Sequence, residues 1–301
     1  MPNVEVNQLN ECGDRSSAAS KMPDALEIRP EHAEQVQPSV SMKGCWQVVC
    51  VPGVYSVEIG LARQQTLADE LTSQSATPAL MVWRCQPALL VTRSETRLPH
   101  FDSAAAEMQA AGWPVLLRKS GGGACPVGSG TVQLSMIEAA FSGATMNAKY
   151  AALTRLVQST FSFFQIVSQT GSVPGAYCPG SYDIAVQGKK IAGMSQHWFG
   201  NRCGIHCIVT AASINIEEPP DVLAGVVNRF YDSAGGPLRC QAASLTNMRL
   251  CDGRVHLAGR NLASAVMTQL GSCADMLDGA ARQGIQRVPH LRSPVFPPQN
   301  D

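Results

Sequence analysis

The sequence predicts an α/β (α+β) fold in which a mixed, largely antiparallel sheet is flanked by helices. Short apolar runs of strand length recur along the chain, at 46–51, 78–85, 87–92 and 131–136. Longer segments with helical spacing stand between and after them. A strand, a tight turn and a second strand are written into residues 182–198, around Lys190.

The elements follow in order. Residues 1–42 are polar, with scattered Ser, Glu, Gln and Pro and almost no aromatic residue, and read as a disordered N-terminal extension. The character changes near Cys45, and the folded domain is expected to span 43–284. Its first strand is 46–51. Ile59, Leu61, Leu67 and Leu71 give residues 56–71 a helical face. The runs PALMVWRC and PALLVT are expected to pair as a hairpin turning at Gln86-Pro87. An Ala-rich helix over 103–111 ends at Gly112, and a strand over 113–118 leads into the glycine run SGGGAC. Further on come a strand at 131–136, a helix at 148–167, a strand region at 202–215 and helices at 219–231 and 262–276. Residues 285–301 form a Pro-rich, flexible tail that regular structure cannot continue through.

The hairpin is the most informative stretch. Between Tyr182 and Gln187, Ile184 and Val186 alternate with Asp183, Ala185 and Gln187, the pattern of a half-buried strand. Gly188 supplies the positive φ that a two-residue turn needs, which places the reversal at Gly188-Lys189 and Lys190 beside Gln187. Small residues, Ala192, Gly193 and Ser195, follow Lys190 and leave room for a substrate to approach the backbone. Upstream, Cys178 stands next to a Pro179-Gly180 bend. Taken singly, a lysine after a turn reads as a solvated charge and a loop cysteine as an inert thiol. The run Ser120-Gly121-Gly122-Gly123-Ala124 is either a structural turn or a loop whose amides approach a ligand oxygen.

Composition narrows the function classes. Hydrophobic residues are 45% of the 301, enough for a sizeable core. Lys plus Arg equal Asp plus Glu at 23 each, so net charge makes no case for nucleic acid or for an anionic membrane. The 11 cysteines are scattered, without a C-x-x-C pair, and read as free thiols of a cytoplasmic protein. Cys203, His206 and Cys207 lie close in sequence, but a second ligand pair for a metal is missing and none is expected. The start of the chain lacks a charged-then-apolar export signal, and no apolar run approaches a membrane span.

Two motifs resemble a known family. The run GSYDIAVQGKKIAGMSQ, residues 180–196, is similar to the lysine signature of the biotin/lipoate protein ligase and lipoyltransferase superfamily. The preceding Y-C-P-G-S-Y-D, together with T-R-L-P at 96–99, is similar to the octanoyl amidotransferase branch. That branch moves octanoyl groups from the glycine cleavage H protein onto other lipoyl domains. The run R-K-S-G-G-G-A resembles the loop that lines the acyl tunnel. The resemblance implies a lipoate ligase/biotin protein ligase-like catalytic domain. In it Cys178 is the acyl-carrying nucleophile and Lys190 the substrate-orienting lysine. On chemical grounds Lys190 is also the candidate catalytic cation that lowers the pKa of the thiol and donates to the oxyanion. The resemblance places Arg118, Ser120, Gly121, Gly122, Gly123 and Ala124 on the loop that lines the acyl tunnel and matches His206 to a histidine of its relatives. Asp183, Gly193 and Ser195 are further candidates at the substrate. Asp183 either positions the incoming lysine or anchors the hairpin. His206 is either a base for the thiol or a hydrogen-bonded structural residue.

The chain departs from ATP-using ligases after Ala124. Cys125-Pro126-Val127-Gly128 stand where those enzymes carry a His-Asp pair. The expected activity is therefore transfer of a preformed octanoyl or lipoyl group, with no cofactor. The expected donor is the glycine cleavage H protein, and the acceptors are lysines on the acyltransferase subunits of 2-oxoacid dehydrogenases. The alternatives are an ATP-dependent lipoate–protein ligase, octanoyl transfer from acyl carrier protein, and a non-catalytic lipoyl-domain binder.

Overall fold

The computed structural model describes residues 38–71, 77–140, 144–201, 204–251 and 261–278. Most of the expected N-terminal extension, and the whole C-terminal tail, lie outside these residues. The first elements are β1 (Ser39–Lys43), β2 (Trp46–Cys50), α1 (Val57–Glu70), β3 (Ala79–Trp83) and β4 (Ala88–Val91). They are followed by α2 (Phe101–Ala110), β5 (Val115–Leu117), β6 (Cys125–Val127) and β7 (Thr131–Ala139). Next come α3 (Met146–Phe163), β8 (Gln169–Thr170), β9 (Ile184–Val186), β10 (Lys189–Asn201) and β11 (Gly204–Asn215). The last helices among the described residues are α4 (Pro220–Ala234) and α5 (Leu262–Ser272).

Eight strands form one sheet in the order β1-β2-β3-β7-β11-β10-β9-β8, antiparallel at every pair except β2–β3. A second sheet, β5-β4-β6, packs on one face of the first. The fold is thus α/β, with a mixed, largely antiparallel sheet between helices.

Period-2 patterning explains how the strands serve two cores at once. On β3, Leu80 and Val82 enter one core while Met81 and Trp83 enter the other. The first core is completed by Leu153, Leu156, Val157 and Phe161 of α3 with Val266 and Leu270 of α5. The second is completed by α1, α2, α4 and the small sheet, through Leu67, Met108, Val227, Phe230 and Leu89. Burying any one of these side chains contributes on the order of 1.5–3 kcal/mol.

Several local expectations are corrected. PALMVWRC and PALLVT do not pair: β3 lies in the large sheet beside β2 and β7, and β4 in the small sheet between β5 and β6. Cys85 instead bridges Tyr55, and Gln86 N donates to Tyr55 O at 2.7 Å, so the chain crosses between sheets where a hairpin was expected. Two apolar runs in sequence cannot reveal that they serve different layers. The strand β1 takes in residues 39–42, four positions earlier than the expected start of the domain. The helix expected at 148–167 begins at Met146, capped by Thr145, whose hydroxyl accepts from Ala148 N, and ends before Gln165 at φ 60.

Candidate active site

The hairpin carries the site. β9 and β10 pair with Lys189 opposite Val186 and Lys190 opposite Ala185. The turn is therefore Gln187-Gly188, both at positive φ (50° and 75°), one residue earlier than expected. This register turns the Lys190 side chain inward. Its Nζ lies 2.8 Å from Asp183 Oδ2 and donates to Tyr177 O and Cys178 O, each at 2.9 Å. An ammonium has three N–H groups, and here each has an acceptor. Asp183 is 1% exposed and also accepts from Gly180 N at 2.9 Å, so it ties the Pro179-Gly180 bend to the hairpin. Burial pushes its carboxyl up, against the pull of Lys190 and of two backbone donors. A Cβ on Gly193 would lie 3.2 Å from both Cε and Nζ of Lys190, so glycine there makes room for the ammonium.

The bend folds Cys178 back over this pair. Cys178 is half-buried and adopts φ 41, in the left-handed region that a non-glycine residue rarely occupies. Such a conformation costs of order 1–3 kcal/mol, and outliers of this kind cluster at functional sites. The Lys190 bond to its carbonyl helps to hold it. Its Sγ accepts from Gly123 N at 3.1 Å and lies 3.4 Å from Arg118 Nη2.

The glycine run forms the opposing wall. Arg118 Nη2 donates to Gly123 O at 2.8 Å, and Nη1 reaches Ser120 Oγ at 3.4 Å. Gly122, at φ 112, passes so close that an added Cβ would sit 2.6 Å from Cys178 Sγ. Ala124 N donates to Tyr231 Oη at 3.1 Å, and Tyr231 in turn donates to Glu95 Oε1 at 3.2 Å. Glu95 also receives Thr92 N at 2.8 Å and Thr92 Oγ1 at 2.6 Å. Tyr231 on α4 and Glu95 were not among the expected site residues. The pattern Thr92-x-x-Glu95 is a capping-box signature, a signal that could have found the second. Tyr231 sits on an amphipathic helix that carries no motif.

Cys178, Lys190, Arg118, Ser120, Gly121, Gly193 and Ser195 line a cavity of about 960 Å³. Its apolar wall includes Leu61, Trp83, Leu90, Val127 and Val209, and its floor carries Gln133, Ser135 and Ser213 of β7 and β11. Cys125 also lines it, with its thiol pushed up to about 11 by burial. His197, not expected at the site, faces it beside Lys119, and burial holds its pKa below the usual histidine range. His206 falls on β11, and its side chain lies outside the described residues, as does Cys203. Among the described residues no cluster of His, Cys, Asp and Glu is placed to hold a metal ion. None of the helices described is long and apolar enough to cross a membrane.

Sheet, flanking helices and cavity define an α/β domain with a deep, largely apolar site. A crystal structure of lipoate-protein ligase A bound with ATP superposes over 80% of this chain and 94% of its own, with TM-score 0.52 and 15% identity, a likeness of fold. Residues 56–248 match the model of the lipoyl protein ligase A/B catalytic domain, and the chain belongs to that family. Among curated relatives, an octanoyl-[GcvH]:protein N-octanoyltransferase of Kyrpidia tusciae is 26% identical over 213 residues, 69% of this chain and 74% of the relative. A lipoyl-[GcvH]:protein N-lipoyltransferase of Listeria monocytogenes is 32% identical over 136 residues, 45% of this chain and 49% of its own.

Proposed function

We propose that the chain is a cysteine-dependent acyltransferase. It moves an octanoyl or lipoyl group from the glycine cleavage H protein to a lysine on lipoyl domains of 2-oxoacid dehydrogenases, through a thioester on Cys178. The observation that carries the reading is the Cys178 sulfur, held at the cavity by Gly123 N–H and by a strained backbone. The names of the curated relatives support the donor.

An amide is a poor acyl donor, and a thiol divides the transfer into two easier steps. In the first, the sulfur attacks the acyl carbonyl, a C–S bond forms and the C–N bond to the donor lysine breaks. The thiol proton leaves on that lysine's amine. In the second, the acceptor lysine's amine attacks the thioester, a C–N bond forms, the C–S bond breaks and a proton from the amine returns to sulfur. Oxyanions form in both steps and call for N–H donors near the sulfur, where the Gly123 N–H stands. The cavity takes the acyl chain, with Ser120, Gly121, Gly193 and Ser195 on its lining.

The test is intact-protein mass spectrometry after mixing with octanoylated H protein without ATP. The expected result is a gain of one octanoyl group, removed by hydroxylamine and missing in Cys178→Ala. A Cys178→Ala variant that still transfers would overturn the reading. An adduct formed only from octanoyl acyl carrier protein would replace the donor, and activity that requires ATP and free lipoate would make the chain a ligase.

A further inference from the structure

We propose that Glu95 and Tyr231 are positioning residues for the Cys178 sulfur. The carboxylate fixes the Tyr231 hydroxyl, the hydroxyl fixes the Ala124 amide, and the loop so held presents Gly123 N–H to the sulfur. The proposal rests on Cys178 being the nucleophile of the proposed reaction.

Glu95 is a buried charge for which the proposed chemistry has no use. It is 7% exposed and forms no ion pair among the described residues. Neutral donors surround it instead. Its Oε2 receives Thr92 N at 2.8 Å and Thr92 Oγ1 at 2.6 Å, and its Oε1 receives Tyr231 Oη at 3.2 Å. A carboxylate only accepts. Tyr231 therefore spends its one hydrogen on Glu95, which turns the phenol's lone pairs to Ala124 N–H, 3.1 Å away. Burial pushes the phenol up to about 12, so that hydrogen stays in place at neutral pH. An amide in place of the carboxylate could turn and donate to the phenol, whose own hydrogen would then face Ala124 N–H.

The effect reaches Cys178 within one residue. Gly123, next to Ala124, donates to Cys178 Sγ at 3.1 Å, and its carbonyl accepts from Arg118. A Cβ on Gly123 would lie 3.2 Å from Tyr231 Oη, 3.8 Å from Glu95 Oε1 and 3.9 Å from Cys178 Cα. Hydroxyl, carboxylate and nucleophile thus converge on one glycine. The hairpin of the large sheet holds Cys178 from the other side, through Lys190 and Asp183. Glu95 follows β4 and Ala124 precedes β6, so the hydrogen-bonded chain fixes the half of the site that belongs to the small sheet.

Residues 96–99 seat that chain. Glu95 opens a short helical turn, Glu95–Arg97, closed by Leu98 N donating to Glu95 O at 3.0 Å. The run then lies against the end of α4. His100 N donates to Ala234 O at 3.2 Å, and a Cβ on Gly236 would lie 3.4 Å from Leu98 Cδ1. The turn that carries Glu95 and the helix that carries Tyr231 are thereby docked to each other.

Two measurements on the full chain test this, with Glu95→Gln and the milder Tyr231→Phe. Hydrogen exchange of the peptide spanning residues 119–126, read by mass, needs no acyl donor. The Gly123 and Ala124 amides should exchange about tenfold faster in both variants. Single-turnover octanoyl-enzyme formation should slow about tenfold at saturating octanoylated H protein. The half-saturating concentration should stay unchanged, because neither residue lines the cavity. The control is Val157→Ala, in the core on the other face of the large sheet. It should lower Tm at least as far and leave both rates as they are. Exchange within about threefold of wild type in both variants would overturn the assignment. So would acylation within about twofold of wild type, or a slowing that Val157→Ala shares. Faster exchange in the variants of a chain whose wild type forms no octanoyl-enzyme would overturn the proposed reaction and leave Glu95 and Tyr231 holding the loop.

Discussion

Replacing Gly122 by alanine tests the close approach of the glycine run to Cys178. The added methyl would lie 2.6 Å from Cys178 Sγ and 2.7 Å from Arg118 Nη2. Carbon contacts are ordinarily about 3.5–4.0 Å, so sulfur and guanidinium must each withdraw by roughly 1 Å. The Gly123 N–H···Sγ bond, 3.1 Å at rest, does not survive a shift of that size. Misplacing a reacting atom by about 1 Å costs on the order of 100-fold in rate. The backbone adds its own penalty, because φ 112 is a conformation that side chains rarely tolerate, at about 1–3 kcal/mol. Gly122 is exposed, so the loop yields locally and the fold survives with a small fall in Tm. The assay is single-turnover octanoyl-enzyme formation by intact mass, beside a thermal melt. Gly225→Ala serves as control: it lies within α4, its Cβ meets nothing within 4 Å, and alanine suits a helix interior better by roughly 0.5–1 kcal/mol. A Gly122→Ala enzyme that forms octanoyl-enzyme within fivefold of wild type would refute the reasoning.

Three further perturbations follow from the same geometry. Asp183→Asn leaves the Lys190 ammonium buried without its counter-charge, and should destabilise by about 3–5 kcal/mol in a calorimetric or denaturant unfolding curve; a loss below about 1 kcal/mol would show that the pair is not structural. Tyr231→Phe keeps the ring packing against Phe230 but deletes the hydroxyl that joins Ala124 N to Glu95. It should cost about 1–2 kcal/mol and slow acylation about tenfold, and wild-type values for both would mean the link does not hold the loop. Burial pushes the thiols of Cys125 and Cys207 up to about 11 and about 12, against 9.0 for an ordinary thiol. A raised folded-state value gives stability that is fully present below pH 9 and lost as pH rises towards 12. The fall in Tm over that window should therefore be shallower in Cys125→Ala/Cys207→Ala than in wild type, and equal slopes would argue against buried neutral thiols.

Local patterns along the chain mark most of the elements and the candidate site. Alternating Ile184 and Val186 mark β9, helical spacing marks α1, α3 and α4, and the runs around Cys178, Lys190 and Gly121–Gly123 mark the stretches that meet at the cavity. These signals are local: strand and helix periods repeat within a few residues, and a glycine run needs no distant partner to be visible.

Tertiary structure alone decided what those residues face. Whether 78–85 and 87–92 pair or part depends on which layer covers each, and no spacing records it. A turn placed one residue earlier than expected points Lys190 at a carboxylate and two carbonyls instead of along the strand beside Gln187. Arg118 meets Cys178 across 60 positions of sequence, and Tyr231 reaches Ala124 across 107. The charge of a lysine or an arginine is written in the chain. Which acceptors surround it depends on contacts that only the fold brings together.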